Sequence, residues 1–362
     1  NIWGGPKTAA RKGAIGAVII HRDALASYPW SVVKSSCSNE AGALAEDASP
    51  RLQAAAWVQL EVARLLLTLS GKDLDAAIKL AGTREFKAFE LPVRLNAAID
   101  SRVRRFESSN VVAMLSAADK AAPRQALLYS AHYDHLGIVP DMPGDNIFNG
   151  AIDNATGCAV VLELARAFAS MKDRPPHPVI FAAVTAEEKG LLGSKFLGEH
   201  PPVPIGQIGL ALNFDSFAPI GVPESVKMLG SERLSFFPTV EKTAKAFKLA
   251  IEADSRPLAG SYYRSDHFSM ARVGVPAFSV SLGDKFVGQT REWAQEKSRE
   301  YTAKNYHQPS DEYRADMDFA SSAEIARFGF ALGWQALSAK TPIAWLPGDE
   351  FEATRLKSER NP

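Results

Sequence analysis

The stretch HPVIFAAVTAEEKG, residues 177–190, sets an apolar run directly before two adjacent glutamates. An uninterrupted apolar run is typical of a strand buried on both faces, as in the parallel sheets of α/β proteins. The end of this strand delivers Glu187 and Glu188 to the sheet edge at which ligands gather. Because adjacent side chains of an extended segment point to opposite sides, the two glutamates cannot approach one ion in the same way. The stretch therefore predicts two carboxylates with different roles at one functional edge.

The pattern on both sides of this stretch predicts the fold class. Strand-like runs recur at 125–132, 207–215 and 275–282, and helical patterns alternate with them. Helices are predicted over 155–171, 191–200, 232–247 and 322–337. Alternation of apolar strands with helices indicates an α/β fold, with a mixed, mostly parallel sheet flanked by helices.

The first part of the chain has a different pattern. A short helix and the strand GAVII are predicted within 6–21, followed by helices over 52–69 and 72–82. The run 91–106 and the segment NVVAML at 110–115 have the pattern of two further strands. From this change of pattern we predict three parts: a small module over 1–88, a main domain over 89–345 and a C-terminal tail over 346–362.

Composition and charge exclude several classes of protein. The 41 basic and 41 acidic residues give a formal net charge of zero, so neither nucleic acid nor an anionic membrane is indicated as a partner. Since no apolar run reaches the roughly 18 residues that span a bilayer, no membrane insertion is predicted. Cys37 and Cys158 are too few for a disulfide framework or a thiolate zinc site, and a bond between them is left open. The chain opens at Asn1 with no initiator Met and no signal peptide, as expected of a fragment or a processed chain.

Metal-binding types of side chain follow one another at the predicted strand ends. They are His132, Asp153, the pair Glu187 and Glu188, and Asp215. Each alone has an ordinary explanation, and Asp153, for example, could cap the helix that follows it. Carboxylates that cluster repel one another, and a multivalent cation would relieve that repulsion. Their joint placement at one edge therefore predicts a metal site.

The donor types indicate which metals such a site would hold. Imidazole and carboxylate donors without thiolate suit zinc, manganese or cobalt. Several carboxylates with two histidines indicate two ions about 3.5–4 Å apart that share one carboxylate. Candidates for the second histidine are His135, His177, His200, His267 and His307. His307 lies in the polar, proline-containing segment NYHQPSDEY, the kind of loop in which functional residues are found.

Six motifs of the chain resemble those of the two-zinc aminopeptidase family, in order and in spacing. They are SAHYDHLG at 130–137, NGAIDNATG at 149–157, VTAEEKGLLGS at 184–194, LNFDSF at 212–217, SYYRSDHFSM at 261–270 and NYHQPSDEY at 305–313. Relatives of that family include glutamate carboxypeptidases, glutaminyl cyclases and the catalytically inactive ectodomain of the transferrin receptor. The resemblance covers about residues 90–340 and implies a zinc-exopeptidase-like fold. Residues 1–88 resemble the later part of a protease-associated domain, a partial small α/β module.

The resemblance implies a role for each matching residue. The first metal would take His132, Asp153 and Asp215, and the second would take Asp153, Glu188 and His307. Glu187 would be the general base. Asp134 would accept the imidazole N–H of His132, and Tyr262, rather than Tyr263, would donate to the tetrahedral intermediate. The resemblance also implies a structural role for His267 and a cis peptide between Asp153 and Asn154.

The implied activity is that of a zinc-dependent exopeptidase. An aminopeptidase with two Zn²⁺, or with Mn²⁺ or Co²⁺ as substitutes, would hydrolyse the N-terminal bond of a peptide with a free N-terminus, through a hydroxide that bridges the metals. The stretch 284–306 is expected to cover the site. Family members with this module are usually exported, so a periplasmic or secreted location is expected. The alternatives left open are a two-metal carboxypeptidase or deacylase, a single-zinc glutaminyl cyclase, and a non-catalytic binding module.

Overall fold

The computed structural model describes residues 5–37, 40–118 and 125–360. The chain divides into two compact units. The first unit consists of Asn1–Lys34 and Ala45–Glu107, and the second of Ser35–Leu44 and Ser108–Pro362. This division differs from the predicted boundary after residue 88: the first unit continues to Glu107, and Ser35–Leu44 belongs to the second unit.

The first unit contains a two-stranded parallel sheet and short helices. In chain order its elements are α1 (Gly5–Arg11), β1 (Gly16–Ile20), α2 (Asp23–Ala26), the first part of α3 (Trp30–Cys37), β2 (Ala54–Val58), α4 (Leu60–Leu69) and α5 (Leu74–Ala81). A small core forms where Ala63 and Leu67 of α4 pack near Leu74 of α5. Helix α5 begins where the side chain of Asp73 accepts a hydrogen bond from the amide of Ala76, as an N-cap does.

Two elements predicted for this part of the chain are wrong. The predicted helix over 52–69 is a strand followed by a helix, because Ala54–Val58 pairs residue by residue with Gly16–Ile20. Pairing with a neighbouring strand outweighs the helix propensity of three consecutive alanines. The run 91–106 contains no strand, and most of its side chains are exposed. Leu91 packs against the small core of the first unit, but residues 92–106 are all exposed, so the strand-like pattern is not realised.

The second unit is built on a seven-stranded sheet in the order β10-β9-β11-β8-β4-β7-β3. Its strands are β3 (Val111–Leu115), β4 (Ala126–His132), β7 (Val179–Val184), β8 (Ile208–Phe214), β9 (Ser225–Leu229), β10 (Ala250–Ile251) and β11 (Ala277–Leu282). The hairpin β5 (Gly137–Ile138) and β6 (Ile147–Phe148) lies outside this sheet. The helices are α6 (Thr156–Ala169), α7 (Leu192–Glu199), α8 (Phe237–Ala246), α9 (His267–Arg272), α10 (Arg291–Lys304), α11 (Ala320–Leu337) and α12 (Glu352–Arg360).

The central strands of this sheet run parallel. Strand β4 pairs in parallel with β7 on one side and with β8 on the other, and β8 pairs in parallel with β11. Strands β3 and β9 are antiparallel to their inner neighbours. Every residue of β4 and β8 is buried, as expected for strands covered on both faces. The predicted fold class, a mixed and mostly parallel sheet flanked by helices, is confirmed.

The end of the chain is a packed part of the second unit rather than the predicted tail. Trp345 and Phe351 are buried, and helix α12 follows them. Arg355 on this helix is buried as well, and its guanidinium donates to the carbonyl of Ile208 at 2.9 Å. Among the described residues, no helix combines the length and the apolar character needed to cross a membrane.

Candidate metal centre

The sheet topology brings three of the predicted residues to one edge. His132 is the last residue of β4, Asp215 directly follows β8, and Glu187 lies just beyond β7. Because β4 lies between β7 and β8 and all three run parallel, their carboxyl ends meet at the same place. This is the edge at which open α/β sheets bind ligands.

A first cluster forms around His132. Its Nε2 lies 3.2 Å from Oδ1 of Asp153 and 3.3 Å from Oδ1 of Asp215. The donor atoms of these three residues are close enough together to hold one metal ion. The residues are those that the sequence assigned to the first metal.

A second cluster shares Asp153 with the first. Nε2 of His307 lies 3.2 Å from Oδ2 of Asp153 and 3.3 Å from Oε2 of Glu188. His135 joins them, with its Nδ1 2.9 Å from Oε1 of Glu188. His135, Asp153 and Glu188 also form a group that could hold a metal ion. Asp153 thus directs one carboxylate oxygen toward each cluster, and His135 is an additional imidazole beside the second.

Asp153 is held by Asp311, a residue for which the sequence predicted no role. The carboxylate of Asp311 accepts hydrogen bonds from the amides of Ile152 and Asp153, the latter at 3.0 Å. Asn154 fixes the other side, since its side chain accepts from the amide of Ser216 and donates to the carbonyl of Phe214. The peptide between Asp153 and Asn154 is cis, as the resemblance implied. Asp311 lies in the NYHQPSDEY motif, four residues after His307, and this position is the sequence signal that could have identified it as part of the site.

Asp215 is held by a buried relay of hydrogen bonds. The hydroxyl of Ser130 donates to Oδ1 of Asn213 at 2.8 Å, and Nδ2 of Asn213 donates to Ser265 at 2.8 Å. The hydroxyl of Ser265 donates to Oδ2 of Asp215 at 2.5 Å. The oxygen of Asp215 that faces away from His132 is thus fixed by charge-assisted hydrogen bonding.

Three residues at this edge have left-handed backbone conformations that non-glycine residues rarely adopt. Ala186, directly before Glu187, has φ 53°, Ser216, directly after Asp215, has φ 58°, and His307 has φ 55°. Such conformations cost energy and persist where the surrounding structure holds them, most often at functional sites.

The role predicted for Asp134 is corrected by the geometry. Its carboxylate lies 3.9 Å from Nδ1 of His132, outside hydrogen-bond distance, and the contact of that nitrogen is the backbone oxygen of Asp134 at 3.1 Å. The carboxylate instead accepts from the amides of Glu187 at 3.0 Å and Glu188 at 3.3 Å. Asp134 therefore positions the pair of glutamates, because its side chain turns toward β7 rather than toward the imidazole.

The hydroxyls of Tyr262 and Tyr263 have partners within the protein. The side chain of Tyr262 is buried, and its hydroxyl donates to the carbonyl of Ala277 at 3.1 Å. The hydroxyl of Tyr263 donates to Glu350 at 2.7 Å. Neither tyrosine is free to donate to a reacting carbonyl in this arrangement. His267 packs edge-on against Tyr262 with ring centroids 4.7 Å apart, and burial lowers its pKa to about 4, in agreement with a structural role.

Opposite charges dominate the electrostatics of the second cluster. Burial alone would lower the pKa of His307, but Glu188 and Asp153 raise it to about 10. Burial alone would raise the pKa of Glu188, but His307 lowers it to about 2. Burial opposes ionisation of Asp153, yet hydrogen bonds from His132 and His307 hold its pKa well below the usual range.

Glu187 differs from Glu188 in its electrostatic environment. Burial raises the pKa of Glu187 well above its usual range, and the neighbouring Glu188 adds to the increase. The pKa values of the two adjacent glutamates therefore shift in opposite directions. The environment of Glu187 favours the protonated form, and that of Glu188 favours the carboxylate. This difference agrees with the two roles expected from their positions in an extended segment.

The single cysteine described by its side chain is close to the first cluster. The thiol of Cys158 donates to the carbonyl of His132 at 3.1 Å. The side chain of Cys37 lies outside the described residues, so the bond left open between the two cysteines stays untested.

A parallel sheet edge with two clusters of imidazole and carboxylate donors around one shared aspartate is the arrangement of a metal-dependent hydrolase. Residues 110–331 match the model of peptidase family M28. The chain belongs to peptidase family M28, in agreement with the family resemblance of its six motifs.

Individual relatives are similar over parts of the chain. Leupeptin-inactivating enzyme 1 of Streptomyces exfoliatus is 29% identical over 221 residues, which cover 58% of this chain and 47% of that protein. A probable zinc metalloprotease of Pyricularia oryzae is 41% identical over 96 residues, which cover 25% of this chain and 17% of that protein. The chain thus spans about half or less of the length of these curated relatives. The aminopeptidase from Aneurinibacillus sp. strain AM-1 has a TM-score of 0.49 at 18% identity, with 93% of this chain and 66% of that chain covered.

Proposed function

We propose that the protein is a zinc-dependent aminopeptidase that hydrolyses the N-terminal bond of a peptide. The observation that carries the proposal is the position of Asp153, whose two carboxylate oxygens each lie 3.2 Å from a different histidine, His132 and His307. One carboxylate placed between two donor sets is what a pair of neighbouring ions requires.

The residues present fit two such ions. The carboxylates of Asp153 and Glu188, whose side chains are buried, and of the partly buried Asp215 lie within 3.3 Å of imidazole nitrogens. No thiolate takes part among the described residues. This donor set suits zinc, with manganese or cobalt as substitutes. His132, Asp153 and Asp215 would hold one ion, and Asp153, Glu188 and His307 the other. When bound, the ions would polarise the scissile carbonyl and lower the pKa of the attacking water.

Glu187 is the proton carrier in this proposal. Burial raises the pKa of Glu187 and so makes its ionised carboxylate a stronger base. The carboxylate accepts a proton from the attacking water, and the resulting acid delivers that proton to the leaving amine. Asp134 supports this role, because it fixes the amide of Glu187 at 3.0 Å and with it the direction of the side chain. Proton transfer by a positioned carboxylate typically contributes about 10²–10⁴ in rate.

The alternatives differ in substrate and in metal content. A carboxypeptidase or deacylase would accept a blocked N-terminus, and a glutaminyl cyclase would need a single zinc and would release ammonia from N-terminal glutamine. The overlap of the two clusters at Asp153 favours the two-metal reading over the cyclase. The six motifs of the chain, and DNATG in particular, favour the aminopeptidase over the carboxypeptidase.

The activity is tested by a zinc-dependent assay. The full chain, stripped with a chelator and reloaded with Zn²⁺, is expected to cleave aminoacyl-nitroanilides and to leave their N-acetylated counterparts intact. C-terminal peptide substrates and a peptide that begins with glutamine serve as further substrates. Cleavage of N-acetylated substrates alone, or cyclisation of the glutamine peptide without hydrolysis, would reject the aminopeptidase.

We also propose that residues 1–88 are part of a protease-associated module and that the protein acts outside the cytoplasm. The support is the resemblance of this part of the chain to modules carried by exported peptidases. Fractionation of the native host, with an antibody against the chain, checks the location. Recovery in the cytoplasmic fraction would reject it.

A further inference from the structure

Two short pieces of chain near the N-terminus belong to the unit that carries the metal centre. These pieces, residues 35–37 and 40–44, form what we call the N-terminal strap. The chain before and after them belongs to the first unit, and the family match begins only at residue 110. The family motifs therefore do not include these residues.

Ser36 of the strap contacts a metal-binding histidine. Its Oγ lies 2.6 Å from Nδ1 of His307, in a partly buried position. The other ring nitrogen, Nε2, faces Asp153 and Glu188 at 3.2 and 3.3 Å. If Nε2 binds a cation, the proton of the neutral ring must be on Nδ1, and Nδ1–H then donates to Ser36. The serine hydroxyl would thus select the tautomer and the orientation that binding requires.

Gly42 fits the strap against the loop of the paired glutamates. A Cβ at this position would lie 2.9 Å from Cδ1 of Leu192 and 3.0 Å from Cβ of Lys189. Lys189 directly follows Glu188, so the glycine allows close approach to the segment that carries Glu187 and Glu188. The strap therefore meets both halves of the second cluster, the histidine through Ser36 and the glutamate loop through Gly42.

We propose that Ser36 is a positioning residue of the metal centre and orients His307 for metal binding. The close packing of Gly42 against Lys189 and Leu192 keeps the strap, and with it Ser36, in place. The inference rests on the proposed function only in that a metal binds between His307 and Glu188. Ser36 acts through His307 and is not itself a catalytic residue. Partners of this kind, which fix the second nitrogen of a ligating histidine, typically change metal affinity by about 10–100-fold when they are removed.

The affinity for Zn²⁺, measured on the full metal-free chain by competition with a chelator, tests the proposal. Ser36→Ala is expected to weaken the binding of the zinc ion between His307 and Glu188 by about tenfold. Ser36→Thr, which keeps the hydroxyl, is expected to restore it. The matched control is Ser170→Ala, because that hydroxyl contacts only the carbonyl of Ala167 at the end of α6. Wild-type zinc affinity in Ser36→Ala, or no recovery in Ser36→Thr, would overturn the assignment.

A second pair of variants tests the strap without touching the hydroxyl. Gly42→Val should displace the strap and lower zinc affinity to the level of Ser36→Ala, whereas Gly82→Val is the control, since a Cβ there meets only the carbonyl of Lys79 at 3.5 Å. The double variant Ser36→Ala/Gly42→Val should bind no more weakly than either single variant, because both remove the same contact. If the losses of zinc affinity in the two single variants add fully in the double variant, the two changes do not act through the same contact, and the role of Gly42 is rejected.

Zinc affinity separates this inference from the proposed function. If the chain binds zinc but cleaves no aminopeptidase substrate, the proposed activity fails, and the Ser36 result still decides the positioning role. If the aminopeptidase is active and Ser36→Ala binds zinc like the wild type, the positioning role alone fails.

Discussion

At the scale of single residues, the candidate metal centre consists of histidine and carboxylate side chains and of the hydrogen bonds that orient them. His132, Glu188 and Asp215 lie near one another because the parallel strands β4, β7 and β8 end at one edge. Asp153, just before α6, and His307, just after α10, reach the same edge from connecting segments. The supporting contacts depend on where each side chain turns, which the sequence does not show. Asp134 illustrates this limit, because its carboxylate accepts hydrogen bonds from the amides of Glu187 and Glu188 and not from the imidazole of His132.

The relay behind Asp215 predicts a loss of metal affinity in Ser265→Ala. This change removes the hydroxyl that donates to Oδ2 of Asp215 at 2.5 Å, so the carboxylate loses its fixed direction. Zinc affinity, measured by chelator competition, is expected to fall about tenfold. The melting temperature should also fall, because the buried amide of Asn213 loses its acceptor. Ser279→Ala is the control, since its hydroxyl makes only a 3.5 Å contact with Asn213. Equal affinity in the two variants would show that the relay does not position Asp215.

The imidazole of the second cluster predicts how the stability of the metal-free protein depends on pH. The pKa of His307 is raised from 6.5 to about 10, so the native state binds its proton more tightly than the unfolded state does. The resulting stabilisation is fully present below pH 6.5 and is lost as the pH rises through about 10. Urea unfolding in the presence of a chelator should therefore give a lower free energy of unfolding at pH 10 than at pH 7.

His307→Asn is the comparison for this effect, because other groups also titrate in that range. The variant should show a smaller loss between pH 7 and pH 10 than the wild type. The same loss in both proteins would mean that the charged pair with Glu188 contributes nothing to the stability of the metal-free state.

At the scale of secondary-structure elements, the strands with uninterrupted apolar runs were predicted to within a few residues. β4, β7, β8 and β11 are buried and paired on both sides, so their composition reports their environment directly. β2 was missed because AAAWV is helix-like by propensity and becomes a strand only through pairing with β1. The short strand β10 pairs over two residues, Ala250 and Ile251, which is too few to produce a pattern.

The approach of helix α7 to the end of β7 predicts a sharp difference between its two glycines. Gly193 donates to the carbonyl of Thr185 at 2.9 Å, and a Cβ on Gly193 would overlap that carbonyl. Gly193→Ala should therefore destabilise the protein by about 1–3 kcal/mol, as overpacking does, and should disturb the following Glu187–Glu188 turn. A Cβ on Gly198 would meet the flexible Cε of Met270 at 3.2 Å.

Gly198→Ala is the matched control on the same helix. It should be neutral or should stabilise by up to about 1 kcal/mol through its helix propensity. Urea denaturation of the two variants checks the difference. If Gly193→Ala were as stable as Gly198→Ala, the close approach of α7 to Thr185 would be contradicted.

At the scale of the whole molecule, the division into units departs most from the sequence prediction. The strap residues are separated in sequence from the rest of the second unit by Ala45–Glu107, so the chain leaves that unit and returns to it. A change in sequence pattern can mark the boundary between two contiguous domains. It cannot show that residues 35–44 belong to the unit formed by the later part of the chain. The C-terminal segment was taken as a tail because α12 is strongly charged, although one of its arginines is buried.

The packed C-terminus predicts that Arg355→Ala lowers global stability. The guanidinium donates to the carbonyl of Ile208 at the start of β8, and its loss leaves that buried acceptor without its partner. We expect a loss of about 1–3 kcal/mol in the free energy of unfolding. Lys357→Ala, at an exposed position of the same helix, should change it by less than about 0.5 kcal/mol. Equal stability of the two variants would indicate that α12 does not pack as a part of the core.

The measurement that tests the central claim most directly is the zinc content and aminopeptidase turnover of Glu187→Gln beside the wild type. The claim is that the two adjacent glutamates have different roles: Glu188 binds a metal ion, and Glu187 transfers the proton. The account predicts that Glu187→Gln keeps the zinc content of the wild type and loses turnover by about 10²–10⁴-fold, whereas Glu188→Ala loses zinc. Near-wild-type turnover in zinc-loaded Glu187→Gln would contradict it.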